Sequence, residues 1–151
     1  MRGVAMPCKV CRSISGDLRI SPGPPIYEGT YWMVEHAYPT RLKGWLVMVL
    51  KEHLEAFHDL TLHQLVEYLS LQRRIATLLR EHFGCDKEYI FVLGEAEGFQ
   101  HIHIHMIPIL PDLPEEFQGT NIFRLLREAR EEGGHPPEEI ADLCRQLRAN
   151  F

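Results

Sequence analysis

The feature that most constrains the fold of this chain is the strict alternation of histidine and apolar residues in the segment QHIHIHMIP, residues 100–108. Successive side chains of a β-strand point to opposite faces, so this pattern predicts a half-buried strand. The apolar side chains of the segment would face a core. The histidines would form a row on the other face, with Cα atoms about 6–7 Å apart, and they are His101, His103 and His105.

Such a row of imidazoles indicates a functional site. Imidazoles are poor packing material and titrate near neutral pH, so three of them in a row suggest a shared metal, anionic substrate or reaction. Neighbours on one straight strand rarely converge on a single ion, and we therefore expect the three histidines to divide their roles. A histidine-rich metalloenzyme is the alternative, because neutral imidazole is the commonest metal-binding side chain.

Length and charge favour a small globular protein. A chain of 151 residues predicts a single domain spanning residues 1–151. A net charge of −5 argues against a general binder of nucleic-acid backbones, which needs a basic face. The first residues lack the apolar core of a signal peptide, and no apolar run is long enough to cross a membrane. We expect a cytoplasmic protein that binds neither nucleic acid nor membrane.

Two of the four cysteines form a Cys-x-x-Cys pair, Cys8 and Cys11. In a reducing compartment such a pair is more often half of a zinc site or a redox dithiol than a structural disulfide. A redox pair would open a helix after a strand, and nothing before Cys8 resembles a strand. Zinc would need two further ligands, which the histidines of the chain could supply.

The remaining pattern predicts an α+β domain on an antiparallel sheet. Residues 1–25 are rich in glycine and proline, and we expect them to be irregular. Strands are predicted within residues 27–35, 44–50 and 89–93, the last two as buried strands. A long helix is predicted from residue 62 to 82, with Thr61 as N-cap and Gly84 as C-cap. Residues 111–151 form a C-terminal extension with short helices at 121–132 and 137–149.

The segment from His101 to Ile107 resembles the His-φ-His-φ-His-φ-φ signature of the histidine triad (HIT) superfamily, where φ is an apolar residue. A glycine-led strand that ends in Lys51-Glu52-His53, followed by a long helix, also matches the wider pattern. The Cys-x-x-Cys pair resembles the zinc-bearing, dinucleoside polyphosphate hydrolase-like branch. The resemblance implies a HIT-like antiparallel sheet with one long helix, a zinc-anchored N-terminus and short C-terminal helices. It also implies a homodimer formed through the long helix and a sheet edge.

The resemblance assigns catalytic roles to two histidines of the triad. His103 would attack the α-phosphorus of a nucleoside 5′-phosphate derivative, either a dinucleoside polyphosphate or a nucleoside phosphoramidate. A covalent nucleotidyl-histidine intermediate would form, and water would hydrolyse it. The carbonyl of His101 would accept a hydrogen bond from the second ring nitrogen of His103. His105 would lie beside the phosphoryl oxygens, where it would stabilise charge or protonate the leaving group.

The resemblance also implies a structural zinc ion. Its ligands would be Cys8, Cys11, His53 and His101, and a Cys₂His₂ set without an open position is typical of a structural site. Such an ion would attach the N-terminal segment to the sheet. It would also orient His101 beside the nucleophile.

The substrate-facing positions depart from the superfamily pattern. Gln100 directly precedes the triad and is the candidate phosphate-binding residue of its loop. Glu95 and Glu97 would repel a polyphosphate unless they point outward or bind it through Mg²⁺. The acidic residue that contacts ribose in the superfamily is not plainly present here; Glu35 or His36 occupies its region, and His36 is the candidate substrate-binding residue. This altered frame leaves open a nucleotide-binding or regulatory protein with little turnover.

Overall fold

The computed structural model describes residues 8–151, which form a five-stranded antiparallel sheet with four α-helices. The strand order across the sheet is β1-β2-β3-β5-β4, and all four neighbouring pairs are antiparallel. The strands are β1 (Tyr27–Glu28), β2 (Trp32–His36), β3 (Leu46–Leu50), β4 (Glu88–Leu93) and β5 (His103–Pro108). The helices are α1 (Lys9–Ser15), α2 (Leu62–Phe83), α3 (Arg124–Glu132) and α4 (Pro137–Ala149). The predicted α+β architecture is confirmed.

Residues 1–7 lie outside the described part of the chain. The predicted lack of a signal peptide concerns these residues and is therefore not tested by the structure. Within residues 8–151, no helix is both long enough and apolar enough to cross a membrane.

The long helix α2 begins and ends where its sequence predicts. The Thr61 side chain accepts from the backbone N–H of Gln64, and the Gln64 side chain accepts from the backbone N–H of Thr61, which completes a capping box. Gly84 adopts the left-handed conformation (φ +69°) that ends a helix, and its N–H donates to the Arg80 carbonyl.

One face of the sheet packs against α2 and α4 to form the main core. The apolar residues of the alternating segment point into it and are almost completely buried, as predicted; they are Ile102, Ile104 and Met106. The apolar stripe of α2 and the inner face of α4 cover them; the residues are Leu71, Ile75, Leu78, Leu79, Ile140, Leu143 and Leu147. The second half of the C-terminal extension is therefore part of the main core.

The opposite face of the sheet carries the histidines and is covered at its two ends. At one end α3 and the preceding 3₁₀ helix (Gly119–Phe123) form a small apolar cluster with strand residues; its buried members include Trp45, Ile107, Ile122, Leu125 and Leu126. At the other end, Val10 of α1 packs against Met33 and Val49. His103 and His105 lie on the strip of sheet between these covers.

Two predictions about local structure are wrong. The segment predicted to be irregular, residues 1–25, contains α1, because the Cys8 sulfur accepts from the backbone N–H of Cys11 and Gly16 (φ +84°) supplies a left-handed C-cap. The strand predicted as buried at 89–93 is the edge strand β4. Its Ile90 and Val92 side chains are 38% and 44% exposed because nothing covers this edge of the sheet in the described part of the chain.

Candidate functional site

Four side chains that are distant in sequence meet beside the end of β3. Cys8 caps α1, His53 follows β3, and His101 lies in a bend before β5. The donor atoms of Cys8, Cys11, His53 and His101 all lie within 4.8 Å of one another. The Cys11 sulfur lies 3.3 Å from Nδ1 of His53 and 3.4 Å from Nδ1 of His101, and the Cys8 sulfur lies 3.6 Å from Nδ1 of His101.

This cluster fits a zinc ion. Around a tetrahedral zinc with bonds of about 2.3 Å to sulfur and about 2.0–2.1 Å to nitrogen, a sulfur and a nitrogen lie about 3.6 Å apart. The observed separations of 3.3–3.6 Å are close to that value. Burial, aided by the adjacent Cys8, raises the pKa of Cys11 to about 11. A thiol with a raised pKa, such as that of Cys11, ionises readily only beside a cation, which is what a thiolate-bound metal provides.

The two histidines of the cluster are held with Nδ1 toward the sulfurs. His101 is completely buried, and its Nε2 lies 2.6 Å from the Leu50 carbonyl. Since a carbonyl only accepts, Nε2 carries the proton and Nδ1 presents its lone pair to the cluster. Nε2 of His53 lies 3.5 Å from a Glu55 carboxylate oxygen. A carbonyl or carboxylate on the outer ring nitrogen is the usual support of a metal-bound histidine.

His103 is the first residue of β5, and within residues 8–151 one of its ring nitrogens makes a hydrogen bond and the other makes none. Its Nδ1 lies 2.7 Å from the carbonyl of His101, which can only accept, so the proton is on Nδ1 and the lone pair is on Nε2. Burial lowers the pKa of His103, so the ring is neutral at pH 7. A half-buried neutral imidazole with an unprotonated, unpaired nitrogen is chemically suited to act as a nucleophile.

His105 lies beside His103 on the same face of β5, with ring centroids 5.1 Å apart. Burial, with a smaller contribution from His103, lowers the pKa of His105 to about 3. Its Nδ1 lies 2.8 Å from the indole Nε1 of Trp45, and its ring meets the edge of Phe123 at a centroid distance of 5.4 Å. His105 is therefore neutral and firmly oriented.

The predicted substrate contact from His36 is wrong. In the sheet register, His36 pairs with Leu46, which pairs with Met106, so its side chain lies on the core face, away from His105. Its ring is almost completely buried. Nδ1 lies 2.8 Å from the Ala37 carbonyl, and the backbone N–H of Gly44 donates to Nε2 at 2.9 Å. No ring nitrogen is left for a ligand.

Glu35 and Gln100 are two further polar residues of the predicted substrate-binding region. Glu35 is in register with Val47 and His105 and is buried; its carboxylate lies 3.0 Å from the Arg19 guanidinium. Burial raises the pKa of Glu35, and Arg19 opposes that rise. Gln100 is exposed in the loop before His101, and its contact with substrate stays a prediction.

The sequence did not reveal two aromatic residues of the site. Trp45 is completely buried, as expected for a large apolar residue, but its hydrogen bond to His105 is not visible in the sequence. Phe123 lies within the segment predicted as a helix at 121–132, where nothing distinguishes it from the other apolar residues of that helix. Successive side chains of a strand point to opposite faces, so Trp45 and Val47, two residues apart, share a face. This alternation could have placed Trp45 on the histidine face. The pairing of Val47 with His105 that brings Trp45 to the imidazole is a long-range register, which local sequence does not carry.

The fold defined by these elements is the histidine triad fold. A zinc-bound histidine triad family protein from Mycobacterium smegmatis is 23% identical, with a TM-score of 0.65 over 97% of this chain and 96% of the other. A hypothetical histidine triad nucleotide-binding protein from Sulfolobus tokodaii is 20% identical, with a TM-score of 0.67 over 95% and 93%. Diadenosine triphosphate hydrolase from Plasmodium falciparum is 13% identical, with a TM-score of 0.63 over 83% and 74%.

No family model and no curated protein matches the sequence. The resemblance drawn from the triad signature is thus confirmed at the level of the fold.

Proposed function

We propose that this chain is a HIT-type nucleotide hydrolase or nucleotidyl transferase that cleaves nucleoside 5′-phosphate derivatives at the α-phosphate. The observation that carries the proposal is the hydrogen bond from Nδ1–H of His103 to the carbonyl of His101, which leaves Nε2 of His103 as a fixed lone pair. A neutral, oriented imidazole lowers the barrier to displacement at phosphorus because it splits one difficult step into two.

In the first step, Nε2 of His103 attacks the α-phosphorus. A P–N bond forms while the bond to the leaving group breaks, and the leaving group departs with its electron pair. In the second step water attacks the same phosphorus and loses a proton to the solvent. The P–N bond breaks, its electron pair returns to Nε2, and nucleoside monophosphate is released. The carbonyl of His101 stabilises the positive charge that His103 carries in the intermediate.

We propose that zinc occupies the Cys₂His₂ cluster as a structural ion. Four protein ligands would leave it no open position for substrate. Its chemistry when bound is to hold Cys8, Cys11, His53 and His101 together. Because the carbonyl of His101 accepts from His103, a fixed His101 also keeps the nucleophile in place.

The structure favours this proposal over a catalytic metal on the histidine row. Within residues 8–151 the one group of metal-ligand side chains includes His101 but neither His103 nor His105. Nδ1 of His103 faces the His101 carbonyl and Nδ1 of His105 faces the Trp45 indole, so neither Nδ1 is available to a metal ion.

A nucleotide-binding protein with little turnover is the second candidate, and the acidic loop before the triad favours it. Glu95 is fully exposed, and one of its carboxylate oxygens accepts from the backbone N–H of Gly94. That hydrogen bond lowers the pKa of Glu95, and the nearby His103 contributes to the same shift. An ionised carboxylate here repels a polyphosphate unless Mg²⁺ bridges the two, so we propose that Mg²⁺ accompanies the substrate.

We further propose a homodimer formed through α2 and the β4 edge. Three large apolar side chains on α2 are 60–72% exposed at helical spacing, and they are Leu62, Val66 and Leu69. The exposed Ile90 and Val92 lie on the same side of the sheet as α2. An apolar surface of this kind marks a protein interface. The free cysteines agree with a cytoplasmic location, which we include in the proposal.

The test is the turnover of diadenosine polyphosphates and adenosine 5′-phosphoramidate by the intact protein and by His103→Asn. We expect AMP among the products and a loss of at least about a thousandfold in kcat for the variant, because a nucleophile has no substitute. His63→Asn, at an exposed position on α2, is the matched control and should keep full activity. Tight AMP binding by calorimetry with no turnover of any substrate would favour the second candidate.

A further inference from the structure

The indole of Trp45 determines which nitrogen of His105 carries the proton. Trp45 immediately precedes β3 and is completely buried. Its Nε1–H points at Nδ1 of His105 over 2.8 Å, and the two rings meet edge to face at 80°. An indole N–H can only donate, so Nδ1 of His105 must be the unprotonated nitrogen. A neutral imidazole has one ring proton, which must then be on Nε2.

His103 has the opposite arrangement. Its proton is on Nδ1, which donates to the His101 carbonyl, and its Nε2 makes no hydrogen bond with the part of the chain that the structure describes. The two rings lie side by side on one face of β5, with their centroids 5.1 Å apart. One ring therefore offers a lone pair and the other an N–H to whatever lies over the pair.

The surroundings of His105 hold this arrangement. Phe123 meets the rings of both Trp45 and His105 edge-on, at centroid distances of 5.3 and 5.4 Å. Within residues 8–151, the bond from Trp45 is the one side-chain hydrogen bond that His105 makes. If Nδ1 of His105 were protonated, it would face the indole N–H of Trp45, and two buried donors would be left without an acceptor. Leaving a buried donor unpaired costs free energy of folding.

We infer that Trp45 is a positioning residue that fixes His105 as the tautomer protonated at Nε2, so that His105 presents a neutral hydrogen-bond donor to a phosphoryl oxygen. The role toward phosphate rests on the proposed function, whereas the tautomer does not. Of the two roles open to His105, stabilisation of charge is then favoured over delivery of a proton. A nucleotide leaves as an anion without needing that proton, whereas an amine does need one, so the site favours phosphoanhydrides over phosphoramidates.

The direct test is the pattern of imidazole ¹⁵N shifts, read from long-range ¹H–¹⁵N correlation spectra of the zinc-loaded protein at neutral pH. In the wild type we expect His105 protonated at Nε2 and His103 protonated at Nδ1. Trp45→Phe removes the indole N–H and keeps an aromatic ring, and it should shift the His105 nitrogens toward averaged values of two tautomers. A wild-type His105 protonated at Nδ1 would overturn the inference without any variant, as would unchanged shifts in Trp45→Phe.

Trp32→Phe is the matched control. Trp32 is also completely buried, but its indole N–H donates to the Gln64 carbonyl on the other face of the sheet. Both variants lose one buried hydrogen bond, and we expect them to lose similar stability. The His105 shifts should change in Trp45→Phe alone; a change of the same size in Trp32→Phe would show a general loss of structure and refute a specific role.

Kinetics give the second readout. Loss of one orienting hydrogen bond should lower kcat of Trp45→Phe about fivefold with little change in KM, a factor that corresponds to the net contribution of about 1 kcal/mol typical of one hydrogen bond. The wild type should turn over diadenosine triphosphate faster than adenosine 5′-phosphoramidate, and the reverse order would overturn the neutral-donor role. A wild-type protein without turnover would refute the proposed function, and the ¹⁵N shifts would still decide the tautomer.

Discussion

Replacement of His36 should change how stability depends on pH rather than how substrate binds. An imidazole has a pKa of about 6.5 in water, and burial lowers the pKa of His36 to about 4. Its ring donates to the Ala37 carbonyl through Nδ1 and accepts from Gly44 through Nε2. A proton on Nε2 would face the Gly44 N–H, so the folded protein holds the neutral ring.

The sign of the effect follows from this difference. Below about pH 6.5 His36 is protonated in the unfolded chain but stays neutral in the folded chain. The free energy of unfolding therefore decreases as pH falls. The contribution is complete above the unfolded pKa and is lost between about pH 6.5 and the folded value of about 4. At about 1.36 kcal/mol per unit of pKa, the loss amounts to about 3 kcal/mol.

The measurement is the free energy of unfolding in urea, from pH 7.5 to the lowest pH at which both proteins fold, for the wild type and His36→Gln. Glutamine does not titrate here, so the stability advantage of the wild type should shrink by up to about 3 kcal/mol as pH falls. Zinc and the other histidines act in both proteins and cancel in the difference. A constant difference for His36→Gln, or a large rise in KM, would refute the assignment of His36 to the core.

Two further predictions concern metal and assembly. Cys11→Ser should lose the one zinc ion per chain expected from the Cys₂His₂ cluster, whereas His103→Asn should retain it; equal zinc in both proteins by elemental analysis would contradict the cluster as the zinc site. Leu69→Glu should halve the mass measured by light scattering, because it places a charge in the exposed apolar stripe of α2, whereas Arg80→Glu on the same helix should not; a wild-type monomer would contradict the proposed homodimer.

Local chemistry explains why much of this fold could be predicted from the sequence. The alternation of faces along β5 and the Thr61 and Gly84 caps of α2 depend on neighbours within a few residues, and the structure confirms all three. The strand β5 is nevertheless buried on both faces and not half-buried as predicted, because α3 and α1 cover the histidine face at its ends. The exposure of β4 could not be predicted in this way. An apolar strand of six residues has the same sequence in the centre of a sheet as at its edge, and only the strand order distinguishes the two.

The prediction of the site had the same limit. The triad and the cysteine pair were visible as motifs, and the structure brings the four expected zinc ligands together. His36 was placed in the site by its position in the chain, yet its register in β2 turns it to the core. Trp45 is buried, as expected for its residue type, but the sequence did not predict its contact with His105. Both positions depend on which face a residue occupies, and a shift of one residue reverses that face.

The three histidines of the row look equivalent in sequence, and what separates them is the group that faces each ring. The Leu50 carbonyl turns the lone pair of His101 toward the cysteine sulfurs. The backbone carbonyl of His101 in turn leaves Nε2 of His103 free. An indole, a donor instead of an acceptor, reverses the tautomer at His105. The carbonyls of Leu50 and His101 and the indole of Trp45 thus give three identical side chains different roles. The three histidines are a candidate metal ligand, a candidate nucleophile and a hydrogen-bond donor. The role of each histidine in the row is therefore set by the group that its ring contacts.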